Sequence, residues 1–325
     1  FIKEFSNFTN RSDVIKPDEF TSHAINIARD DYWKFLRSKI SPTFTSGKLK
    51  NLIVYCTQKS FGLQVNSQKE KDNQFVKYAR KAMRSDVNEY KDFIELILED
   101  TRKDVSDDPE TKDDKGVWRF QSRALTEEEI AVNSLLFFAA GFDTTSSAIS
   151  FAAYCLATHQ DLQDKLIEEV DSLIGKNIPS YEVVMKMEYL EKFVSEVLRI
   201  YPPATRFFRE AKDDITMNGW FIPKGTDVTG PIYALHRDPE YWPDPETFDP
   251  ERFTEENKAT RHPYAYLPFG LGPRICVGMR LALLQTKMSI VNMLQHYRFM
   301  TCDQTEVTVI AASFLKLKIF PMYIF

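Results

Sequence analysis

The sequence predicts a mostly helical chain with a few short strands, and three observations set that expectation. Apolar residues recur at helical spacing through several stretches, one running from Thr126 to about Thr158. Strand signals are confined to short runs, one of them folded around the Asn218-Gly219 dipeptide. Six prolines between Pro239 and Pro268 argue against regular structure on the approach to the C-terminal part of the chain.

Residues 1 to 29 carry no strong periodicity, and the first eleven read as a short helix whose beginning looks cut. A helix from Asp30 is stopped at Ser41-Pro42 and places Trp33 and Arg37 four residues apart on one face. Both are pure hydrogen-bond donors, suited to an anion or to a cation–π pair on a solvated face. A helical pattern runs from Phe75 to about Asp100, and the charged, aliphatic-poor stretch 101–123 reads as a solvated linker. Thr126 with Glu129 forms a capping box, and the helix it opens is about 45 Å long at 1.5 Å per residue.

In the middle of that helix lies A-G-F-D-T-T, Ala140 to Thr145, where an acid and two hydroxyls interrupt an apolar face. Thr144 can bond back to the Ala140 carbonyl beside Gly141, opening a small groove fit for dioxygen, and Asp143 can relay protons. A core helix with a polar bend is the plainer account. Residues 160 to 174 form an amphipathic packing helix closed by Gly175. A further helix, Tyr189 to Ile200, ends at Pro202-Pro203 and carries Glu196 and Arg199 three residues apart, which alone reads as a surface ion pair. Ile215 to Ile222 reads as a hairpin and Thr226 to Ile232 as a strand. An apolar helix runs from near Met279 to about His296, and Leu315 to Ile319 alternate as a half-exposed strand. His236 reads as a satisfied loop residue.

Composition narrows the function classes. The 325 residues are 43% hydrophobic with net charge -5, enough for a large core in one sizeable domain or two. That balance argues against a general nucleic-acid binder. Four cysteines without C-x-x-C spacing suggest neither a zinc site nor a disulfide framework, and a reducing compartment fits best. No run of about 18 uninterrupted apolar residues marks a membrane span.

The chemistry centres on Phe269 to Gly278, F-G-L-G-P-R-I-C-V-G. Cys276 lies between glycine turns, near Arg274 and just before a helix, where helix-end amides and a guanidinium can stabilise a thiolate. Phe269, Gly272, Arg274, Cys276 and Gly278 match the haem-binding signature of the cytochrome P450 family, and the chain resembles that family. A-G-F-D-T-T resembles its oxygen-activation motif. Glu196 and Arg199, with Arg252 of P-E-R-F, resemble its buried Glu-Arg-Arg triad. The motif W-x-x-x-R and the following S-P-T-F-T-S-G-K-L-K resemble the animal microsomal subgroup that oxidises varied lipophilic compounds.

The resemblance implies a mainly α fold with small β-sheets, the cytochrome P450 fold in incomplete form, as one catalytic domain over 1–325. The N-terminal anchor and part of the helices that roof the substrate pocket are expected to be missing. It implies haem b with Cys276 as metal ligand, Thr144 and Asp143 as catalytic groups in proton delivery, and Trp33, Arg37, Arg206 and Arg274 on the propionates, with Phe269 and Gly278 completing the cofactor loop. Phe138, Ala140, Ala204, Thr205 and Phe207 are implied to line the substrate side, although core packing accounts for the last three equally well.

The implied reaction is monooxygenation of a lipophilic small molecule by dioxygen. Electrons would come from an NADPH-dependent flavoprotein reductase, because no G-x-G-x-x-G fingerprint occurs here. Lys34, Lys48, Lys50, Arg280 and Lys287 offer that partner a basic face, or simply a solvated one. A full-length form would sit on the cytosolic side of the endoplasmic reticulum membrane. Two other readings stand beside this one: a haem-binding but catalytically incompetent fragment or splice form, and a thiol-nucleophile enzyme using Cys276 without iron.

Overall fold

A computed structural model describes residues 3–11, 17–49, 123–302, 305 and 323–324. They form a mainly helical protein with three two-stranded antiparallel sheets. The expected helix at 75–100, nearly all of the charged stretch 101–123, the alternating run 315–319, Lys50 and Cys56 lie outside the described residues. The chain separates into two compact units, residues 13–137 and residues 1–12 with 138–325.

In the 13–137 unit, α1 (Asp30–Ile40) buries Trp33, Phe35, Leu36 and Ile40 along one face and then tightens into a 3-10 turn, Ser41–Phe44. The long helix α2 (Glu127–Thr158) starts in this unit through the expected capping box. The Thr126 N–H donates to Glu129 Oε2 at 2.8 Å and the Glu129 N–H to Thr126 Oγ1 at 3.2 Å. Glu129 is buried, and Arg123 and the Tyr32 hydroxyl both donate to it. Burial pushes its carboxyl up, but the bonds from Arg123, Thr126 and Tyr32 outweigh that and hold it below the usual range.

The other unit is built on three packed helices: α3 (Gln160–Leu173), α5 (Glu188–Ile200) and α8 (Met279–Leu294). Every residue of α5 from Phe193 to Ile200 is buried, as expected of a helix covered on all sides. Between α3 and α5 lies one short helix, α4 (Tyr181–Val184), whose first turn is capped by the Ser180 hydroxyl. Gly175 ends α3 with φ of 58°.

Strand β1 (Phe207–Glu210) pairs with β4 (Asp227–Gly230), and β2 (Ile215–Met217) with β3 (Trp220–Ile222). The β2–β3 turn has positive φ at both Asn218 and Gly219, the geometry that dipeptide favours. Phe207 lies opposite Gly230, where any Cβ would collide with its ring. The third sheet joins β5 (Phe299–Met300) to β6 (Tyr323–Ile324).

Three local expectations change. The strand placed over Thr226 to Ile232 ends at Gly230, because Pro231 has no N–H to continue a ladder, and α6 (Ile232–Leu235) follows. The proline-rich stretch is not wholly irregular. Pro250–Phe253 forms a 3-10 turn in which a leading proline costs no donor, and α7 (Glu255–Thr260) follows, capped by Thr254. The N-terminal residues make only a turn, after which the Asn10 and Asn7 carbonyls accept from the Glu210 and Lys212 N–H groups alongside β1.

Among the described residues α2 is the one helix long and apolar enough to cross a bilayer by length and composition. No uninterrupted run marked it in the sequence. Its C-terminal half is packed in protein, with Phe151, Ala152, Cys155 and Leu156 buried.

Candidate functional site

The cysteine loop is made by two glycines in left-handed geometry, Gly270 at φ 75° and Gly272 at φ 70°. The Gly270 N–H closes a turn on the Leu267 carbonyl at 3.0 Å, and the Cys276 N–H reaches back to the Phe269 carbonyl at 3.0 Å. This loop delivers an exposed Cys276 three residues before α8, with Gly278 at the helix N-cap. The amide end of a 16-residue helix therefore sets positive partial charge beside the sulfur.

Arg274 is buried and donates from Nε to the Thr9 carbonyl at 2.8 Å. That contact brings the N-terminal segment against the loop, and with it Arg11. Burial lowers the pKa of Arg11, while the Cys276 sulfur works the other way. Arg209 is also buried, and burial together with the Arg11 charge lowers its pKa to about 10. Its guanidinium donates to the Phe208 carbonyl at 2.7 Å and stands 5.2 Å from the centre of the Phe207 ring. The sequence put Arg206 on a propionate, but Arg206 is exposed just outside β1. Neither Arg11 nor Arg209 stood out in the sequence: the first precedes no motif, and the second is one arginine of an R-F-F-R pair that spacing alone does not resolve.

The Glu-Arg-Arg set assembles, with Glu196 and Arg199 fully buried and Arg252 half-buried. Arg199 donates to both Glu196 oxygens, at 2.7 Å and 2.8 Å, with neither side chain exposed. Its remaining donors reach the carbonyls of His236, Pro245 and Thr247. Arg252 lies 3.6 Å from Glu196, whose Oε1 also accepts the Asp249 N–H at 2.9 Å. Burial raises the Glu196 pKa against the pull of Arg199 and Arg252. Arg261, stacked 3.9 Å above Trp242, adds a further guanidinium to this network and donates to the Arg252 carbonyl.

On α2, Thr144 is half-buried and donates to the Ala140 carbonyl at 2.7 Å, as the residue pattern suggested. The helix runs unbroken past Gly141, where a Cβ would meet nothing within 4 Å. Asp143 and Ala140 are exposed, and Phe138 stacks on an exposed Phe142 with ring centres 6.4 Å apart. Ala204 and Thr205 are half-buried, and the Thr205 carbonyl accepts the Tyr233 N–H. Phe207 packs on Gly230. Trp33, buried, and Arg37, half-buried, sit on α1 in the 13–137 unit. The basic face is reduced: Lys287 is fully buried and ion-paired with Glu191 of α5, whereas Lys34 and Arg280 are exposed.

An exposed thiol just before a helix N-terminus, with the Arg11 charge acting on its sulfur and the buried Arg274 two residues before it, suits an acidic cofactor bound through a metal. The cytochrome P450 family model matches residues 57–319. The chain belongs to the cytochrome P450 family. It is 36% identical to mouse (Mus musculus) cytochrome P450 3A11 over 381 aligned residues, covering 94% of this chain and 75% of that one. It is 37% identical, at the same coverage, to the lithocholate 6-beta-hydroxylase of Mesocricetus auratus, and 36% identical to cytochrome P450 3A2 of Rattus norvegicus. The 381 aligned positions exceed the 325 residues of this cytochrome P450, so these relatives carry residues between matched segments for which it has no counterpart. The family places it among the haem-dependent monooxygenases. The site's donors fit that cofactor: one accessible sulfur for the metal, and buried arginines for carboxylate groups.

Proposed function

We propose that this chain is a haem-thiolate monooxygenase that places one atom of dioxygen into a lipophilic small molecule. The observation that carries this reading is the accessible Cys276 at the start of α8, in the company of Arg11 and Arg274. Haem b, when bound, would supply the activation of dioxygen. The residues of the chain do the rest. Cys276 would hold the iron through its sulfur, and Arg11, Arg209 and Arg274 would receive the propionates, the buried Arg209 taking the role first given to Arg206. Trp33 and Arg37 join them on the strength of the W-x-x-x-R motif alone. Thr144 and Asp143 hold and pass protons on α2, whose exposed Phe138 and Ala140 face the substrate. The lithocholate hydroxylase among the relatives supports a lipophilic substrate. Electrons come from an NADPH-dependent flavoprotein reductase that meets exposed cations such as Arg280. We place the chain's work at the cytosolic face of the endoplasmic reticulum membrane.

The carbon monoxide difference spectrum of the reduced, haem-loaded chain tests this, with Cys276→Ser beside it. A red-shifted Soret band that disappears in the variant is expected. Haem binding without that shift would overturn the thiolate ligand, and with it the reaction. A second reading is a haem-binding chain without turnover; the aligned span of the relatives is longer than this whole chain. Turnover of a lipophilic probe with NADPH and reductase separates the two. Because Lys287 is buried in an ion pair, charge reversal at Arg280, not at Lys287, probes reductase docking.

A further inference from the structure

His236 is fully buried, and its imidazole is used on both sides. Nε2 accepts the Leu267 N–H at 2.8 Å, which fixes the proton on Nδ1, and Nδ1–H faces the Arg199 carbonyl at 3.2 Å. That carbonyl is one of the last of α5, which a helix leaves without an internal partner. The Arg199 guanidinium returns a bond to the His236 carbonyl at 2.9 Å, so the two residues hold each other. The ring is wedged against Tyr266, with centroids 5.3 Å apart, and Trp242, at 6.5 Å. The Tyr266 hydroxyl donates to the Ser195 carbonyl of α5 at 3.0 Å. On the far side, the Leu267 carbonyl accepts the Gly270 N–H, and two residues after Leu267 the Phe269 carbonyl accepts the Cys276 N–H.

We infer that His236 is a positioning residue for the cysteine loop: its neutral ring locks the Leu267 amide to the end of α5 and so fixes the turn that presents the Cys276 sulfur. What that sulfur binds rests on the haem-thiolate reading above; the positioning itself does not. Burial lowers the His236 pKa to about 3, so the neutral form required by both bonds is the one present at neutral pH. A charged ring would confront the Leu267 N–H with a second donor and sit among Arg199 and Arg237.

Three variants of the full chain test it. His236→Phe keeps a ring against Tyr266 and removes both polar functions. His236→Gln places an amide oxygen near the Nε2 position and can accept from Leu267, whereas His236→Asn reaches only as far as Nδ1. In the haem-free chain, amide hydrogen exchange over 266–276 is expected to rise about tenfold in His236→Phe, the worth of the lost Leu267 bond alone, and to return to within about twofold of wild type in His236→Gln. With haem, the fraction giving the red-shifted carbon monoxide band is expected to follow the same order. Unchanged exchange in His236→Phe overturns the inference. So does exchange that rises equally in α3, since that marks general loosening. If His236→Phe does not fold, Gln against Asn decides: equal exchange in the two overturns it. The exchange arm needs no haem, so a wild-type chain lacking the band would sink the haem reading and leave His236 to be judged separately.

Discussion

Arg199 is bidentate to Glu196 and donates to three carbonyl oxygens, whereas Arg209, almost as deeply buried, meets one carbonyl, one ring and the field of a second guanidinium. In the first region the chain supplies its own counter-charge, with Asp249, Arg252 and Arg261 gathered round the same carboxylate. In the second, among the described residues, no carboxylate is ion-paired to Arg11 or Arg209, and the Arg11 charge adds to burial in lowering the Arg209 pKa. Burying a charge costs several kcal/mol unless it is compensated. A network balanced internally is therefore architecture, and a cluster of like charges beside an accessible sulfur is a place prepared for an anion from outside. On the proposed reading, the first set holds the loop and the second is the place for the cofactor's carboxylates.

The comparison breaks most easily at Glu196. Glu196→Gln leaves Arg199 and Arg252 facing each other without a carboxylate, and should destabilise even the haem-free chain by about 3 to 5 kcal/mol, read from its urea midpoint. A loss under about 1 kcal/mol would mean that the carbonyl oxygens alone satisfy these guanidiniums. Arg209→Leu is the counterpart. Removing one of two mutually repelling cations should leave haem-free stability within about 1 kcal/mol of wild type while weakening haem binding roughly tenfold to a hundredfold, the worth of a charge-assisted bond. If haem-free Arg209→Leu falls as far as Glu196→Gln, the distinction between the two regions is wrong.

The sequence showed the two regions unequally. Glu196 and Arg199 share a helix turn, which alone reads as a surface pair; the motif with P-E-R-F located the triad and implied its burial, and the packing of α3, α5 and α8 shows what buries it. The helix limits were legible because caps and stops are local: Thr126 with Glu129, Gly175, and Pro202-Pro203. The arginine cluster was not. Arg274 is fixed through the carbonyl of Thr9, and Glu210 N–H through that of Asn10, pairings across some two hundred residues or more that leave no periodic trace. Strand alternation tells neighbouring faces apart, but β1 has only four residues, too few to say which of Arg206 and Arg209 turns inward.

His236 sharpens the first region further through pH. Its folded pKa of about 3 lies below the ordinary 6.5, so the unfolded chain takes up the proton first as pH falls. Its contribution is therefore fully present above pH 6.5 and is lost as pH drops toward 3, by up to about 1.4 kcal/mol per unit. Glu196, whose pKa is raised, works in the opposite sense, with stability lost as pH rises. The difference between wild type and His236→Gln, followed by denaturant midpoints from pH 7.5 to about 4, removes that common term. The wild type should lose ground to the variant on acidification, and parallel curves would show that His236 is not neutral because of its burial.

The smallest effect on stability belongs to α2, where a polar group lies outside any buried network. Thr144 spends its hydroxyl on the Ala140 carbonyl of its own helix, a bond that competes with the helix ladder and adds little. Alanine is the better helix former, so Thr144→Ala should change haem-free stability by no more than about 0.7 kcal/mol, if anything upward. Its cost should appear only during turnover, as more NADPH consumed for each product formed, because the hydroxyl beside Asp143 is the group assigned to holding a proton there. Stability and coupling thus part company at Thr144, whereas at Glu196 stability is lost before coupling can be read. If Thr144→Ala turns over with unchanged coupling, the hydroxyl serves only its own helix, and proton delivery must be sought at Asp143 or elsewhere on the exposed face of α2.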